Sequence, residues 1–101
     1  MSYQVEITEK AQEEAREAYR WIARHSPEKA SLWHFELLEK AGSLENFPAR
    51  CPLASESQTY GQEIRHLIFG KYRIVFTIED ELVTVIRVRH LAQDTLQPDD
   101  E

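Results

Sequence analysis

The spacing of apolar residues changes once along this chain, and that change of period limits the folds open to it. Between Ala11 and Leu44, apolar side chains recur at three- and four-residue steps, the period of one helix face. From Ile64 onward they alternate with polar residues or run together, the pattern of half-buried and buried strands. A chain of 101 residues supports one hydrophobic core and not two. Helical period followed by strand period within that length predicts a single α+β domain.

Local signals place the elements. Tyr3-Gln4-Val5-Glu6-Ile7 alternates and predicts a short first strand. Thr8 can cap a helix with Glu9 in its first turn, and Ala11, Ala15, Ala18, Tyr19 and Ile22 form its apolar stripe through about Arg24. Ser26-Pro27 starts a second helix, with Ser26 as N-cap and Pro27 at the first helical position. Ala30, Trp33, Leu37, Ala41 and Leu44 carry that helix to near Asn46, and the short join at His25-Ser26 makes the pair an antiparallel hairpin. Pro48 and Pro52 open a loop that reaches about Gly61. Three β runs follow: residues 64–69, then Tyr72, Ile74, Phe76 and Ile78 in alternation, then residues 82–89. The predicted order is β-α-α-β-β-β: an N-terminal strand, an antiparallel helix hairpin and a three-strand antiparallel meander. This domain fills residues 1–96, and residues 97–101 read as an acidic disordered tail.

Composition removes several classes of chemistry. Isolated Gly42, Gly61 and Gly70 cannot build a phosphate loop. His25, His34, His66 and His90 lie far apart with no ligand partner at i+3 or i+4, so neither a metal site nor a cofactor is expected. A single cysteine excludes an internal disulfide; Cys51 reads as a small buried anchor, although Arg50 beside it would favour the thiolate. No apolar run approaches the ~18–20 residues that cross a bilayer, and the first residues lack a secretion signal, so the reading is cytoplasmic. The rows Glu9, Glu13, Glu17 and Arg16, Arg20, Arg24 read as a solvated helix face with pairs Glu13–Arg16 and Glu17–Arg20.

The formal net charge of -6 opposes non-specific nucleic-acid binding, but it is unevenly spread. Residues 91–101 hold four acids and no base, whereas residues 62–90 hold five bases against four acids. Arg73 points away from the face carrying Tyr72, Ile74 and Phe76, and Arg87 and Arg89 share a face opposite Ile86 and Val88. With Arg65, His66 and His90 at the ends of neighbouring runs, several of these are expected to meet on one open sheet face. Guanidinium groups there suit phosphate or carboxylate, and a histidine transfers protons near neutral pH. The plainer reading keeps them as solvent-facing strand residues, with Arg73 paired to a carboxylate such as Glu63.

Cys51-Pro52-Leu53-Ala54, Gly61-Gln62-Glu63-Ile64-Arg65-His66-Leu67, Gly70-Lys71-Tyr72-Arg73-Ile74-Val75-Phe76 and Val88-Arg89-His90 together resemble the RelE/ParE superfamily of bacterial toxins. The resemblance spans nearly the whole chain, and its most specific part is Tyr72-Arg73-Ile74 with the Val-Arg-His ending. It implies the toxin of a type II toxin–antitoxin module, often labelled a plasmid-stabilisation protein, held inactive by a cognate antitoxin. RelE-like members cut mRNA on the ribosome with a Lys and Arg cluster plus a late tyrosine, and ParE-like members poison DNA gyrase. Arg73 matches the arginine after the strand tyrosine, but the basic positions before it fall near Ile64 and His66, with no lysine pair. The late arginine and tyrosine fall near Leu91 and Gln97.

Three functions are thus in play. A ParE-like gyrase inhibitor would bind through an aromatic-bearing hairpin (Trp21, Trp33, Phe35), with Trp33 in the core and Trp21 off the main stripe. An mRNA endonuclease would use Arg73 with His66 or His90 for catalysis, and Arg65, Arg87 and Arg89 for phosphate or partner contact. A degenerate member would only bind antitoxin. The missing lysine pair favours the ParE-like branch.

Overall fold

The computed structural model describes residues 2–92, so the expected tail at 97–101 lies outside the described residues. The elements are β1 (Gln4–Ile7), α1 (Glu9–His25), α2 (Pro27–Gly42), α3 (Glu56–Tyr60), β2 (Arg65–Phe69), β3 (Tyr72–Glu79) and β4 (Leu82–His90). Both expected caps form. The Thr8 hydroxyl accepts the Ala11 N–H at 3.1 Å, and the Ser26 hydroxyl accepts the Lys29 N–H at 3.2 Å with Pro27 opening α2.

Two boundaries differ from the sequence reading. The α2 helix stops at Gly42 and tightens into a 3-10 turn over Ser43–Glu45, where Arg50 donates to the Asn46 carbonyl at 2.6 Å and satisfies the chain end. The segment read as a loop up to Gly61 contains the five-residue α3. That length is too short to show a helical period, and tertiary contacts hold it in place.

The sheet has four strands in the order β1-β4-β3-β2. The meander β2-β3-β4 is antiparallel as expected, and β1 joins its far side parallel to β4. Two-residue turns connect the meander at Gly70-Lys71 and Asp80-Glu81, and both need a positive φ, at Gly70 (55°) and Asp80 (55°). A register shift between Val75 and Phe76 adds a bulge to the β3–β4 pair.

The main core lies between the helix hairpin and one sheet face. Ala11, Leu37, Ala41 and Leu44 from the helical side meet Phe69, Ile74, Phe76, Val83, Val85 and Val88. Small residues at Ala11 and Ala41 let the helices approach the sheet closely. Trp33 lies at the margin of this core against Tyr72 (5.0 Å between ring centroids) and Phe69 (6.2 Å). A smaller cluster of Ala54, Ile64 and Val75, flanked by Tyr60 and Ile86, covers part of the opposite face. That face is therefore not open.

Phe76 is fully buried at the centre of the main core. Phe76→Ala should cost about 3–5 kcal/mol, because the cavity it leaves cannot collapse between a sheet and two helices. Urea unfolding followed by circular dichroism measures the change in midpoint.

Candidate functional site

Strand register decides which basic residues can meet. Arg73 is the cross-strand partner of Arg89, and Val75 is the partner of both His66 and Arg87, so these four positions share the face opposite the main core. Arg65 pairs with Phe76 and His90 with Tyr72, which puts both on the other face. The expected group is thus reduced to Arg73, Arg87, Arg89 and His66.

Arg73 is buried, and its partner is Glu56 of α3, not Glu63. The guanidinium grips the carboxylate with both terminal nitrogens, NH1 to Oε1 at 3.0 Å and NH2 to Oε2. Glu56 is only 1% exposed, so this is an ion pair of the interior. The same Arg73 nitrogen lies 3.3 Å from His66 Nδ1. Arginine can only donate, so Nδ1 accepts and the imidazole carries its proton on Nε2. Burial lowers the His66 pKa below 6.5, Arg73 lowers it further, and Glu56 opposes both.

Arg87 and Arg89 turn toward α1. Glu14 accepts Arg87 Nε at 2.9 Å and NH2 at 2.7 Å, and Arg89 NH1 stands 3.8 Å from the same carboxylate. Glu14 also accepts the Val88 backbone N–H at 3.0 Å. The pairs Glu13–Arg16 and Glu17–Arg20 do not close among the described residues.

The remaining candidates are structural or solitary. Arg65 donates to the Cys51 carbonyl at 2.7 Å and lies 3.6 Å from Glu63. Cys51 is a buried anchor, and desolvation raises its thiol pKa against the pull of Arg50 and Arg65. His90 packs edge-on to Tyr72 at 4.9 Å, while its Nδ1 accepts the Ala92 N–H at 3.0 Å. His66 also lines a pocket of about 250 Å³ with Arg50, Cys51 and Pro52.

A larger apolar groove of about 750 Å³ runs between the hairpin and the sheet, floored by Ile7, Ala15, Leu37, Ile74 and Val88. Arg16 and Arg20 stand on its rim with Tyr19 and Leu38. Trp21 is exposed at 57% and Phe35 at 62%, so the hairpin also carries apolar area on its outer surface.

A family model described as the ParE toxin of the type II toxin–antitoxin system parDE matches residues 5–95. The chain belongs to the ParE toxin family. Two solved structures share this family's fold. The chromosomal ParDE toxin–antitoxin system of P. aeruginosa aligns with a TM-score of 0.71 and 17% identity, over 89% of this chain and 97% of that one. The RelBE2 toxin–antitoxin complex of Mycobacterium tuberculosis aligns with a TM-score of 0.61 and 24% identity, over 89% of this chain and 99% of that one. No curated protein matches the chain.

Within this ParE-family fold, sequence reasoning missed the two residues that organise the basic face, Glu14 and Glu56. Glu14 stands three residues after Ala11, on the flank of the buried stripe, and that spacing was its only signal. Glu56 is the sole acid between Asn46 and Gly61 and carried no periodic signal at all.

The neutral imidazole of His66 gives a signed pH dependence. Its folded pKa lies below 6.5, so the unfolded chain binds more protons as the pH falls past 6.5. Stability is lost between 6.5 and the lower folded value and levels off below it. His66→Gln should flatten that part of the melting-temperature profile, and an NMR titration of the His66 ring should show a midpoint below 6.5.

Proposed function

We propose that this ParE-family toxin acts by binding its target protein, DNA gyrase, and not by cutting RNA. The observation that carries this reading is the state of Arg73. Cleavage by attack of a 2′-hydroxyl needs a cation at the phosphate and a group ready to take a proton. Arg73 spends its charge on the buried carboxylate of Glu56, and the accepting nitrogen of His66 is turned toward Arg73. His90 belongs to the opposite face, beside Tyr72. The residues that would divide the work of an endonuclease are therefore separated or neutralised.

The antitoxin is proposed to neutralise the toxin by filling the groove under the hairpin. The two solved neighbours are a ParDE toxin–antitoxin system and a RelBE2 toxin–antitoxin complex, which supports such a partner. The groove is apolar, and the guanidinium groups of Arg16 and Arg20 on its rim suit an amphipathic segment with acidic residues along one side.

Expression without the antitoxin tests the target. We expect arrested growth, an SOS response and gyrase-linked DNA breaks, with no cuts in translating mRNA. Mapped mRNA cuts without DNA breaks would overturn the reading in favour of the endonuclease, and unimpeded growth would leave only an antitoxin-binding role. For the groove, Ala15→Arg keeps a strong helix former while filling the floor. Affinity for the antitoxin should fall about 30-fold or more, equivalent to about 2 kcal/mol, with the far-ultraviolet circular dichroism unchanged.

A further inference from the structure

One aromatic ring is held in solvent against its own backbone preference. Phe47 is 79% exposed, more than any other large apolar residue among the described residues, and it stands at φ 48° and ψ 57°. That left-handed geometry is unfavourable for a bulky side chain, and a residue before proline is steered to extended backbone instead. Phe47 precedes Pro48, so both local preferences are overridden. The ring belongs to neither apolar cluster. Trp21 and Phe35, the other exposed aromatic anchors, stand on regular helices where exposure carries no strain.

The surroundings of Phe47 fix it outward. Leu44 and Pro48 on either side are fully buried, and the Tyr3 N–H reaches the Glu45 carbonyl at 2.8 Å, which ties the turn to the chain entering β1. Arg50 folds back over the turn. Its guanidinium donates to the carbonyls of Asn46 (2.6 Å), Phe47 (3.2 Å) and Ser43 (3.4 Å) and to the Ser43 hydroxyl at 3.0 Å. Strain persists where surrounding contacts over-determine it, and it concentrates at functional positions. A ring already fixed in one geometry also loses little freedom on binding. Every one of these acceptors is neutral, and Arg50 makes no ion pair among the described residues. The knob therefore carries a cation at its root, beside the 250 Å³ notch that Arg50 lines with Cys51, Pro52 and Ile68.

We propose that Phe47 is the anchor by which this toxin grips its target protein, entering an apolar pocket whose rim carries a carboxylate opposite Arg50. The groove under the hairpin, which Phe47 does not line, stays with the antitoxin. Only the target's name, gyrase, rests on the function proposed above; the anchor requires a protein target of any identity.

Phe47→Asn and Phe47→Gly remove the ring and suit the left-handed backbone, so the melting temperature should hold or rise, the reverse of what loss of a packing residue does. Binding to purified gyrase, read by surface plasmon resonance and by inhibition of supercoiling, should fall about 30-fold or more. Growth arrest should be lost, while affinity for the antitoxin stays within about twofold of the parent's. Phe47→Leu keeps an apolar anchor and should retain most of the arrest. Arg50→Met should weaken gyrase binding about tenfold, and an unchanged affinity overturns the acidic rim. A lowered melting temperature in both the Asn and Gly variants, arrest as strong as the parent's, or a matching loss of antitoxin affinity overturns the anchor. If the parent chain arrests growth without binding gyrase, the gyrase reading fails and the same variants still decide the anchor through growth arrest. A parent chain that does not arrest growth overturns both.

Discussion

The β4 strand is nine residues long and β1 beside it only four, so among the described residues about half of that side of β4 has no strand to pair with. An unpaired backbone edge must find other partners or face water. Here the chain that leaves β1 turns at once into α1 and supplies them. The Thr8 N–H reaches the Val85 carbonyl at 3.0 Å, the Thr8 hydroxyl the Ile86 carbonyl at 3.3 Å, and Glu14 the Val88 N–H at 3.0 Å. These contacts hold α1 along β4. Given that placement, α2 must return antiparallel over the core, and the groove between hairpin and sheet follows.

The same edge contact explains why the basic face is closed. Glu14 is drawn to Val88 by the backbone, and a carboxylate in that position also collects Arg87 and approaches Arg89. On the other flank, Glu56 collects Arg73. A guanidinium buried without a partner is strongly unfavourable, so arginines that strand alternation turns inward require carboxylates brought in from elsewhere. The two acids come from elements 73 and 17 residues away from their arginines in the chain. Long-range pairing of this kind is an outcome of topology.

That separation marks the limit of what the sequence discloses. Caps at Thr8 and Ser26, the alternation of β3 and the two tight turns are local, and each is readable because neighbouring residues enforce it. The common face of Arg87 and Arg89 was readable too, since alternation alone assigns it, whereas register brings Arg73 to that face. The parallel docking of β1 on β4 was not, because it depends on where the whole hairpin returns. Nor were Glu14 and Glu56, since a single acid in a helix or a loop looks the same whether it meets water or an arginine. The open basic face was the natural expectation from one strand at a time, and the third dimension closed it.

Burial also relocates the charge that a partner meets. By sequence, the cations of residues 62–90 outnumber their acids by one, which invites a polyanion to the sheet. In the folded chain Arg73 and Arg87 are buried and Arg65 and Arg89 are half-buried, whereas Arg16, Arg20 and Arg24 on α1 are exposed. Two of those three stand on the rim of the apolar groove. An apolar floor with cations along its border favours a protein segment that brings both apolar side chains and carboxylates, since it desolvates the first and pairs the second. A nucleic-acid backbone would satisfy the border and leave the floor wet. The fold, more than the net charge, thus decides which cations a partner meets: Arg16, Arg20 and Arg24 stay exposed on the hairpin, whereas Arg73 and Arg87 on the sheet do not.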